Sequence, residues 1–164
     1  MASPSALQRE IRQTRPFASA AEEATVGLLL TCDRLRRSLA EVVQPHGITL
    51  QQYNVLRILR GAGPAGLPTL EIGARMIEEA PGITRLLDRM ERKALAERRR
   101  CPRDGRRVLC RTTRSGLKLL EALGGPMTRA SDAFFSPLGG LETRRLIRLL
   151  DDVRSPLSIG GHSR

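Results

Sequence analysis

The side chains best suited to chemistry in this chain are arginines, and they are concentrated in one segment. Between Arg85 and Arg114 there are eleven arginines and one lysine against four acids, which supplies +8 of the net charge of +11. A guanidinium presents a planar fork of donors that suits phosphates and guanine edges better than a lysine ammonium does. A basic patch confined to one segment predicts a polyanionic partner.

Signatures of the common enzyme classes are missing from the sequence. It contains no phosphate-cradling glycine loop, no esterase elbow and no zinc-protease helix. Its two histidines, His46 and His162, have no Cys or His partner at the spacing of a zinc site. The sequence therefore predicts a protein that is not an enzyme and that holds no metal and no cofactor.

Two helical patterns lie at the start of the basic segment and just before it. A short one covers 70–77, and a break over 78–82 contains Pro81 and Gly82. The second pattern places four apolar residues on one face at helical spacing: Ile83, Leu86, Leu87 and Met90. Two helices joined by a short turn are typical of a helix–turn–helix, whose second helix enters the major groove of DNA.

A basic β-hairpin is predicted directly after the second helix. The PRDG run at 102–105 is a turn signal, and a strand-like run follows at 107–112. A hairpin beside a recognition helix can reach the flanking backbone or the minor groove. The sequence therefore predicts a winged helix–turn–helix.

The remaining segments predict a mainly α fold of the α+β class. The capping box formed by Thr49 and Gln52 starts the domain that contains the wing. The predicted divisions are an N-terminal arm that is mobile or loosely docked (1–18), an N-terminal dimerisation helix (19–48), the winged helix–turn–helix (49–116), C-terminal dimerisation helices (117–154) and a disordered tail (155–164). A kink or a break is expected in the first C-terminal helix at the GGP run 124–126.

The helices at the two ends carry broad leucine-rich faces. A core built around 49–116 can bury only part of that surface, so the rest is expected to pack against a second copy. The alternative is that these helices fold back on their own domain. A helix–turn–helix protein normally binds a two-fold site as a two-fold dimer, which favours the homodimer.

The sequence also bears on cellular location. No apolar run approaches the roughly 18 residues that cross a bilayer, and the first 17 residues lack the apolar centre of a signal peptide. Three cysteines at irregular spacing do not form a disulfide framework. We therefore expect a cytoplasmic protein with reduced thiols and no membrane partner.

The arrangement resembles the MarR family of winged-helix transcription regulators. The similarity covers about 20–153, and four runs carry it: LQQYNVL at 50–56, ITRLLDRM at 83–90, DGR at 104–106 and TRSG at 113–116. The resemblance implies a homodimer with one winged helix–turn–helix in each subunit and a dimerisation region made of the N- and C-terminal helices. Such proteins usually repress genes, and they release DNA when a small phenolic or lipophilic compound binds or when a cysteine is oxidised.

The sequence departs from the family pattern at several positions. Ala94 stands where the family often has a glycine with a left-handed backbone, so the recognition helix is expected to end differently. Gly105 replaces a basic residue at the wing tip, and Thr112 replaces an apolar one in the second strand. Two acids at 78–79 precede the recognition helix, near the expected position of DNA phosphates.

Six side chains are predicted to bind double-stranded DNA. They are Thr84, Arg85 and Arg89 on the recognition helix and Arg103, Arg106 and Arg107 on the wing. The alternative for the helix residues is an ordinary solvated face. Asp88 and Glu91 are expected to pair with neighbouring arginines.

Three cysteines and one tyrosine are candidates for sensing a signal. Cys101 lies in sequence beside Arg100 and Arg103, whose charge would favour a reactive thiolate, and Cys110 could pair with it across the hairpin. The alternative is that Cys101 is simply a small residue at a strand end. Cys32 lies on an apolar helix face and is expected in the core, and Cys32 and Tyr53 are the candidate lining of a ligand pocket. For Tyr53, plain core packing is the alternative.

Taken together, these features predict a dimeric, sequence-specific DNA-binding regulator, most simply a repressor with a small-molecule or redox input. The alternative is a nucleoid-associated or RNA-binding structural protein without an effector. Modules that bind single-stranded RNA usually offer aromatic stacking platforms. The basic segment contains no aromatic residue, which favours duplex DNA.

Overall fold

The protein is described here by a computed structural model over residues 3–78, 82–101 and 104–155, with the backbone alone for Cys101 and 105–107. Its described helices and strands are, in chain order, α1 (Ala6–Glu10), α2 (Ala20–Val43), α3 (Leu50–Ala62), β1 (Leu67–Pro68), α4 (Thr69–Ala74), α5 (Ile83–Arg92), β2 (Ala96–Cys101), β3 (Asp104–Thr112), α6 (Arg114–Phe135) and α7 (Gly140–Arg154). The predicted mainly α fold with a small sheet is confirmed. None of the described helices is both long enough and apolar enough to cross a membrane.

An aliphatic core holds α3, α4, α5 and the base of the sheet together. Its fully buried side chains include Val55, Leu56, Leu59, Ile72, Leu87 and Met90. On α5 the predicted apolar face is confirmed, because Leu86, Leu87 and Met90 are buried and Ile83 packs against the same core. Burial of this face leaves the opposite face of α5 for solvent or DNA.

The start of α3 follows from its predicted capping box. Thr49 N–H donates to Gln52 Oε1 at 3.1 Å, and Gln52 N–H donates to Thr49 Oγ1 at 3.2 Å. Two of the amide groups that a helix start leaves unpaired are thereby satisfied. Gln52 is buried, so this cap also closes the edge of the core.

The wing is an antiparallel sheet with the strand order β1-β3-β2. The hairpin β2–β3 was predicted, whereas the short third strand β1 lies in a stretch that reads as a Gly/Pro loop. Leu67 pairs with Cys110 and Pro68 with Leu109. The preceding Gly66 has φ +71° and lies so close to the carbonyl of Cys110 that a side chain would collide with it. Two residues of strand are too short for a periodic signal, so pairing with β3 defines β1.

Helix α6 shows no break at 124–126, where a kink or a break was predicted. It runs without interruption from Arg114 to Phe135 with Pro126 inside it. A proline normally forces the preceding residue out of the helical region because its ring collides with that residue's Cβ. The preceding residue here is Gly125, which has no Cβ, so this collision is absent. The proline still leaves the helix one hydrogen bond short.

The root of the wing meets α6 at Gly116. A Cβ at this position would overlap the carbonyl of Leu95 and the hydroxyl of Thr112 and press on Leu56. Thr113 caps the helix, since its Oγ1 accepts from Gly116 N–H at 3.1 Å. This close approach fixes the start of α6 against the hairpin.

The segment predicted as a mobile arm contains a short helix, α1. Ser5 and Gln8 form a capping box there, and the side chain of Gln8 is buried. The segment lies beside α2, because Glu10 forms an ion pair with Arg34. A single turn of helix is below the length that periodicity can reveal, which explains why the sequence did not indicate it. The tail predicted from 155 lies outside the described residues beyond Ser155.

The recognition helix α5 ends on a left-handed residue although no glycine is present. Ala94 has φ +53°. Its N–H donates to the carbonyl of Glu91 at 2.8 Å, and the N–H of Leu95 donates to that of Met90 at 2.9 Å. These two bonds form a Schellman motif. The expectation that Ala94 would end the helix differently is therefore wrong, because the two hydrogen bonds hold the alanine in the strained conformation.

We expect Ala94→Gly to raise the free energy of unfolding by about 1 kcal/mol, since glycine adopts this backbone conformation without the steric cost that alanine has. Urea unfolding followed by circular dichroism measures the change. Ala122→Gly, at an exposed position inside α6, is the matched control and should lower stability by about 1 kcal/mol. Equal losses for both variants would contradict the strain at Ala94.

Candidate DNA-binding surface

The exposed face of α5 carries the three residues predicted to read DNA. Thr84, Arg85 and Arg89 lie on the side away from the buried Leu86 and Met90. Within the described part of the chain, neither Arg85 nor Arg89 has an ion-pair partner. Both guanidinium groups are therefore available to phosphates and base edges.

The wing extends beside α5, but its tip is described only in part. Arg106 and Arg107 have their backbone in β3, and their side chains lie outside the described part of the structure. Arg103 lies wholly outside the described residues. The backbone thus puts 106 and 107 on the strand that leaves the turn, and their DNA contacts stay predictions.

Arg98 joins the wing to the recognition helix. Its Nη1 lies 2.6 Å from Asp88 Oδ1 and 2.5 Å from Glu91 Oε2. Its Nη2 donates to the carbonyl of Thr84 at 3.1 Å, and its backbone N–H donates to Glu91 Oε1 at 2.8 Å. One residue of β2 therefore holds the first and last turns of α5.

The charge of Arg98 is stabilised by this arrangement. Partial burial opposes the charged form, but the hydrogen bond to Asp88 and the carboxylates of Glu91 and Asp88 outweigh it, so the pKa of Arg98 is raised. Asp88 and Glu91 do pair with an arginine, as predicted, but that arginine lies on β2 and is not one of their neighbours in the sequence. Arg98 is not among the site residues predicted from the sequence, although two acids at i, i+3 on the recognition helix indicated that a cation was needed between them.

Comparison with known proteins agrees with this geometry. The model of the MarR family matches residues 46–107. The crystal structure of a MarR transcription factor from Planctomyces limnophilus is 38% identical, covers 83% of this chain and 98% of its own, and gives a TM-score of 0.64. The chain belongs to the MarR family. It is therefore a DNA-binding transcription regulator and not an enzyme.

Two other relatives extend the comparison. The HTH-type transcriptional regulator FarR of Neisseria gonorrhoeae is 28% identical over 143 residues, which are 87% of this chain and 94% of FarR. A mutant of MarR from E. coli, solved in complex with operator DNA, is 27% identical, covers 83% of this chain and 99% of its own, and gives a TM-score of 0.72. The family membership decides against a structural protein of the nucleoid or an RNA-binding module.

The wing of this MarR-family regulator is also tied together on the face away from α5. Arg111 Nε donates to Glu97 Oε1 at 2.5 Å across the two strands, and Arg99 lies 3.3 Å from the same carboxylate. The hydrogen bond from Arg111, supported by the charge of Arg99, lowers the pKa of Glu97. The stabilisation from Glu97 is thus present above the ordinary carboxyl pKa and is lost as the pH falls through the lowered value.

Threonines at the wing root satisfy backbone carbonyls left by the end of α5. Thr113 Oγ1 donates to the carbonyl of Ala94 at 2.6 Å, and Thr112 Oγ1 donates to that of Leu95 at 3.3 Å. Thr112, which stands where the family pattern has an apolar residue, therefore has a hydrogen-bond partner in the backbone. These bonds tie the helix end, the sheet and α6 into one unit.

The strand register corrects the proposed pairing of Cys101 with Cys110. Cys110 lies opposite Arg98, and Cys101 lies opposite Asp104. Cys101 lies three positions after Arg98 along β2, which is about 10 Å at the rise of a strand. A disulfide needs Cα atoms about 4.4–6.8 Å apart, so this hairpin does not bring the two thiols together. Cys110 is fully buried, with its Sγ 3.8 Å from Thr69 Oγ1.

Cys32 and Tyr53, the candidate lining of a ligand pocket, contribute to the same cavity. Its volume is about 440 Å³, and Met76, Ile77 and Met127 supply part of its apolar wall. Cys32, expected in the core, is exposed on α2 instead. The cavity thus lies between the long N-terminal helix and the DNA-reading unit.

We expect Arg98→Met to lower the free energy of unfolding by about 1–2 kcal/mol, because two carboxylates lose their shared cation. DNA affinity should fall as well, since the wing is no longer fixed to α5. Urea unfolding and anisotropy titrations with labelled duplex measure the two effects.

The matched control for Arg98→Met is Arg99→Met. It removes the same charge from the next residue of β2, where the side chain is 62% exposed, so its stability should stay within about 0.5 kcal/mol of the wild type. Indistinguishable stability for the two variants would contradict the positioning role of Arg98.

Proposed function

We propose that this protein is a homodimeric repressor that binds a palindromic operator in the cytoplasm and leaves it when a small phenolic or lipophilic ligand binds. The observation that supports sequence-specific DNA binding is the composition of the exposed face of α5. Its side chains Thr84, Arg85 and Arg89 lie on the outward face, while the nearby acids Asp88 and Glu91 are held by Arg98.

The recognition helix and the wing contact different parts of the DNA in this proposal. Arg85 lies in the first turn of α5, where side chains of a recognition helix reach base edges. Arg103, Arg106 and Arg107 on the wing reach the backbone or the minor groove, where width and negative potential attract arginine. We therefore assign recognition of the bases to the helix and positioning of the protein on the DNA to the wing.

Apolar surface on the terminal helices supports a homodimer. No residue of α7 is buried within the subunit, and Leu141, Ile147, Leu149 and Val153 are more than half exposed. On α2, Leu29 is 67% exposed. We propose that the segments 19–48 and 117–154 cover these side chains by packing against the same segments of a second copy.

The cavity beside Cys32 and Tyr53 supports a ligand over oxidation as the releasing signal. Its volume of about 440 Å³ lies within the range of ligand pockets, and its lining combines an apolar wall with a few polar groups. Cys110 is fully buried and so is poorly accessible to oxidants. A redox role for Cys101 stays a prediction from the sequence.

The proposal is tested by comparing Arg85→Ala with Arg106→Ala on a palindrome selected in vitro and on a scrambled duplex. Arg85→Ala should lose about 1–3 kcal/mol on the palindrome and much less on scrambled DNA, because base-edge contacts carry the sequence information. Arg106→Ala should weaken both DNAs more evenly. Titrations at several salt concentrations should show a salt slope reduced by about two per dimer, because each subunit then neutralises about one phosphate fewer.

Two outcomes would contradict these roles. Equal losses on both DNAs for Arg85→Ala would remove this residue from base reading. Unchanged affinity and salt slope for Arg106→Ala would mean that the hairpin does not contact DNA as a wing.

We expect Leu149→Glu to convert the dimer into monomers, because a carboxylate would have to be buried in the apolar interface. Sedimentation velocity at micromolar protein measures the change, and affinity for the palindrome should fall in parallel. Arg148→Glu introduces the same residue at the neighbouring position, off the stripe formed by Leu146, Leu149, Leu150 and Val153, and should remain dimeric. A wild-type monomer with full DNA affinity would overturn the proposed assembly.

A further inference from the structure

A second kind of cavity lies behind the root of the wing, on the side away from the recognition helix. Its volume is about 470 Å³, and its walls are the end of α3, the root of the hairpin and the start of α6. It shares no lining residue with the cavity that contains Tyr53. No residue proposed above to contact DNA lines it either. The wing-root cavity is therefore separate from both sites already described.

Three arginines from three different elements line the wing-root cavity. Arg60 belongs to the last turn of α3, Arg111 to β3, and Arg114 is the first residue of α6. The lining contains one acid, Glu97, so its net charge is +2. A concave surface with charge of one sign concentrates its field and attracts counter-ions. The charge of the lining thus favours a doubly negative guest.

Most of the guanidinium donors in this cavity have no partner within the protein. In the part of the chain that the structure describes, Arg60 and Arg114 form no ion pair and no side-chain hydrogen bond. Arg111 contacts Glu97 through Nε alone, at 2.5 Å, which leaves its two terminal nitrogens. Guanidinium groups donate to phosphate oxygens in pairs. Three such groups on one cavity are a donor set suited to a phosphate.

The size of the cavity indicates that the phosphate is joined to an organic body. A volume of about 470 Å³ lies within the range of pockets that hold small organic ligands. Leu59, Pro64 and Leu117 contribute apolar wall, and Leu117 is 43% exposed. Burial of this surface against a ligand would add to the affinity. The lining therefore fits an organic phosphate better than a free phosphate ion.

We propose that the wing-root cavity is a binding site for a phosphomonoester with a small organic body. Such an ester carries about −1.5 to −2 charges at neutral pH, which matches the charge of the lining. Arg111 keeps its bond to Glu97 through Nε and donates to the phosphate through its terminal nitrogens. The bound ester joins α3, the hairpin and α6. This site goes beyond the proposed function and does not depend on it.

A phosphate of the DNA backbone would offer the same chemistry as the ester. The cavity lies where Ala96 pairs with Thr112, at the end of the hairpin far from the turn that is proposed to reach DNA. No residue of α5 lines it. We therefore assign the site to a free ester, and the experiment includes an arm that separates the two sources.

The first arm is a calorimetric titration of the full-length protein with phenyl phosphate, at slightly alkaline pH and constant ionic strength. Phenyl phosphate should bind in the micromolar to millimolar range. Inorganic phosphate should bind more weakly, because it lacks a body to cover the apolar wall. Absence of phenyl phosphate binding would overturn the proposal, and equal affinity for the two probes would overturn the organic body.

The second arm locates the bound ester. Arg114→Gln and Arg60→Gln should each weaken phenyl phosphate binding about ten-fold or more, the range expected for a lost charged hydrogen bond. Both side chains are exposed, so circular dichroism should show folded variants. Lys118→Gln is the matched control, because it removes the same charge from an exposed position of α6 outside the cavity. Arg57→Gln removes a cation from the cavity that contains Tyr53. Both controls should bind like the wild type.

Two results of this arm would contradict the location. Equal losses for Arg114→Gln and Lys118→Gln would show a general effect of charge and no site. A loss confined to Arg57→Gln would place the ester in the cavity that contains Tyr53.

The third arm separates a free ester from the DNA backbone. Without added phosphate, Arg114→Gln should bind the palindrome and the scrambled duplex as tightly as the wild type, with the same salt slope. Weaker binding to both DNAs with a reduced slope would assign the cavity to a backbone phosphate and overturn the free ester. A wild type that does not prefer the palindrome would defeat the proposed function and leave the ester site in place.

Discussion

The DNA-binding surface depends on the contact of Arg98 with two acids of the recognition helix. A two-stranded hairpin is only marginally stable by itself in water, and this one carries a dense run of arginines that repel one another. Asp88 and Glu91 supply the opposite charge on the side of α5, and Glu97 supplies it on the other face of the hairpin. Charge compensation thus adds to the aliphatic core at the base of the sheet in setting the position of the wing relative to the helix.

This arrangement explains how so basic a segment can fold and still bind DNA. Asp88, Glu91 and Glu97 are engaged by Arg98, Arg99 and Arg111. The arginines of α5 that point outward keep their donors free of such internal ion pairs among the described residues. The segment therefore separates into arginines that hold the structure and arginines that remain available to phosphates and bases, and sequence position alone does not distinguish the two groups.

Local sequence patterns were sufficient to predict the helix and the hairpin that form the DNA-binding surface. Periodicity predicted α5 and its buried face, and the turn residues predicted the hairpin. Features set by long-range contact were missed. The partner of Asp88 lies ten residues away on another element, the distance between Cys101 and Cys110 depends on strand register, and β1 exists only through its pairing with β3. The break considered at 124–126 is absent although Pro126 lies inside α6. Gly125 removes one of the collisions that a proline causes in a helix, the one with the preceding Cβ.

The DNA-reading unit is joined to the two terminal helices in unequal ways. On the side of α6 the junction is rigid, because Gly116 permits direct contact with the wing root and Thr112 and Thr113 bond the carbonyls that end α5. On the side of α2 the junction includes two cavities and the solvent-exposed ion pair of Arg36 with Glu78. Close-packed contacts resist displacement, whereas cavities and exposed pairs can rearrange at little cost. A change in the orientation of the recognition helix is therefore expected to pivot at the root of α6 and to open or close on the side of α2.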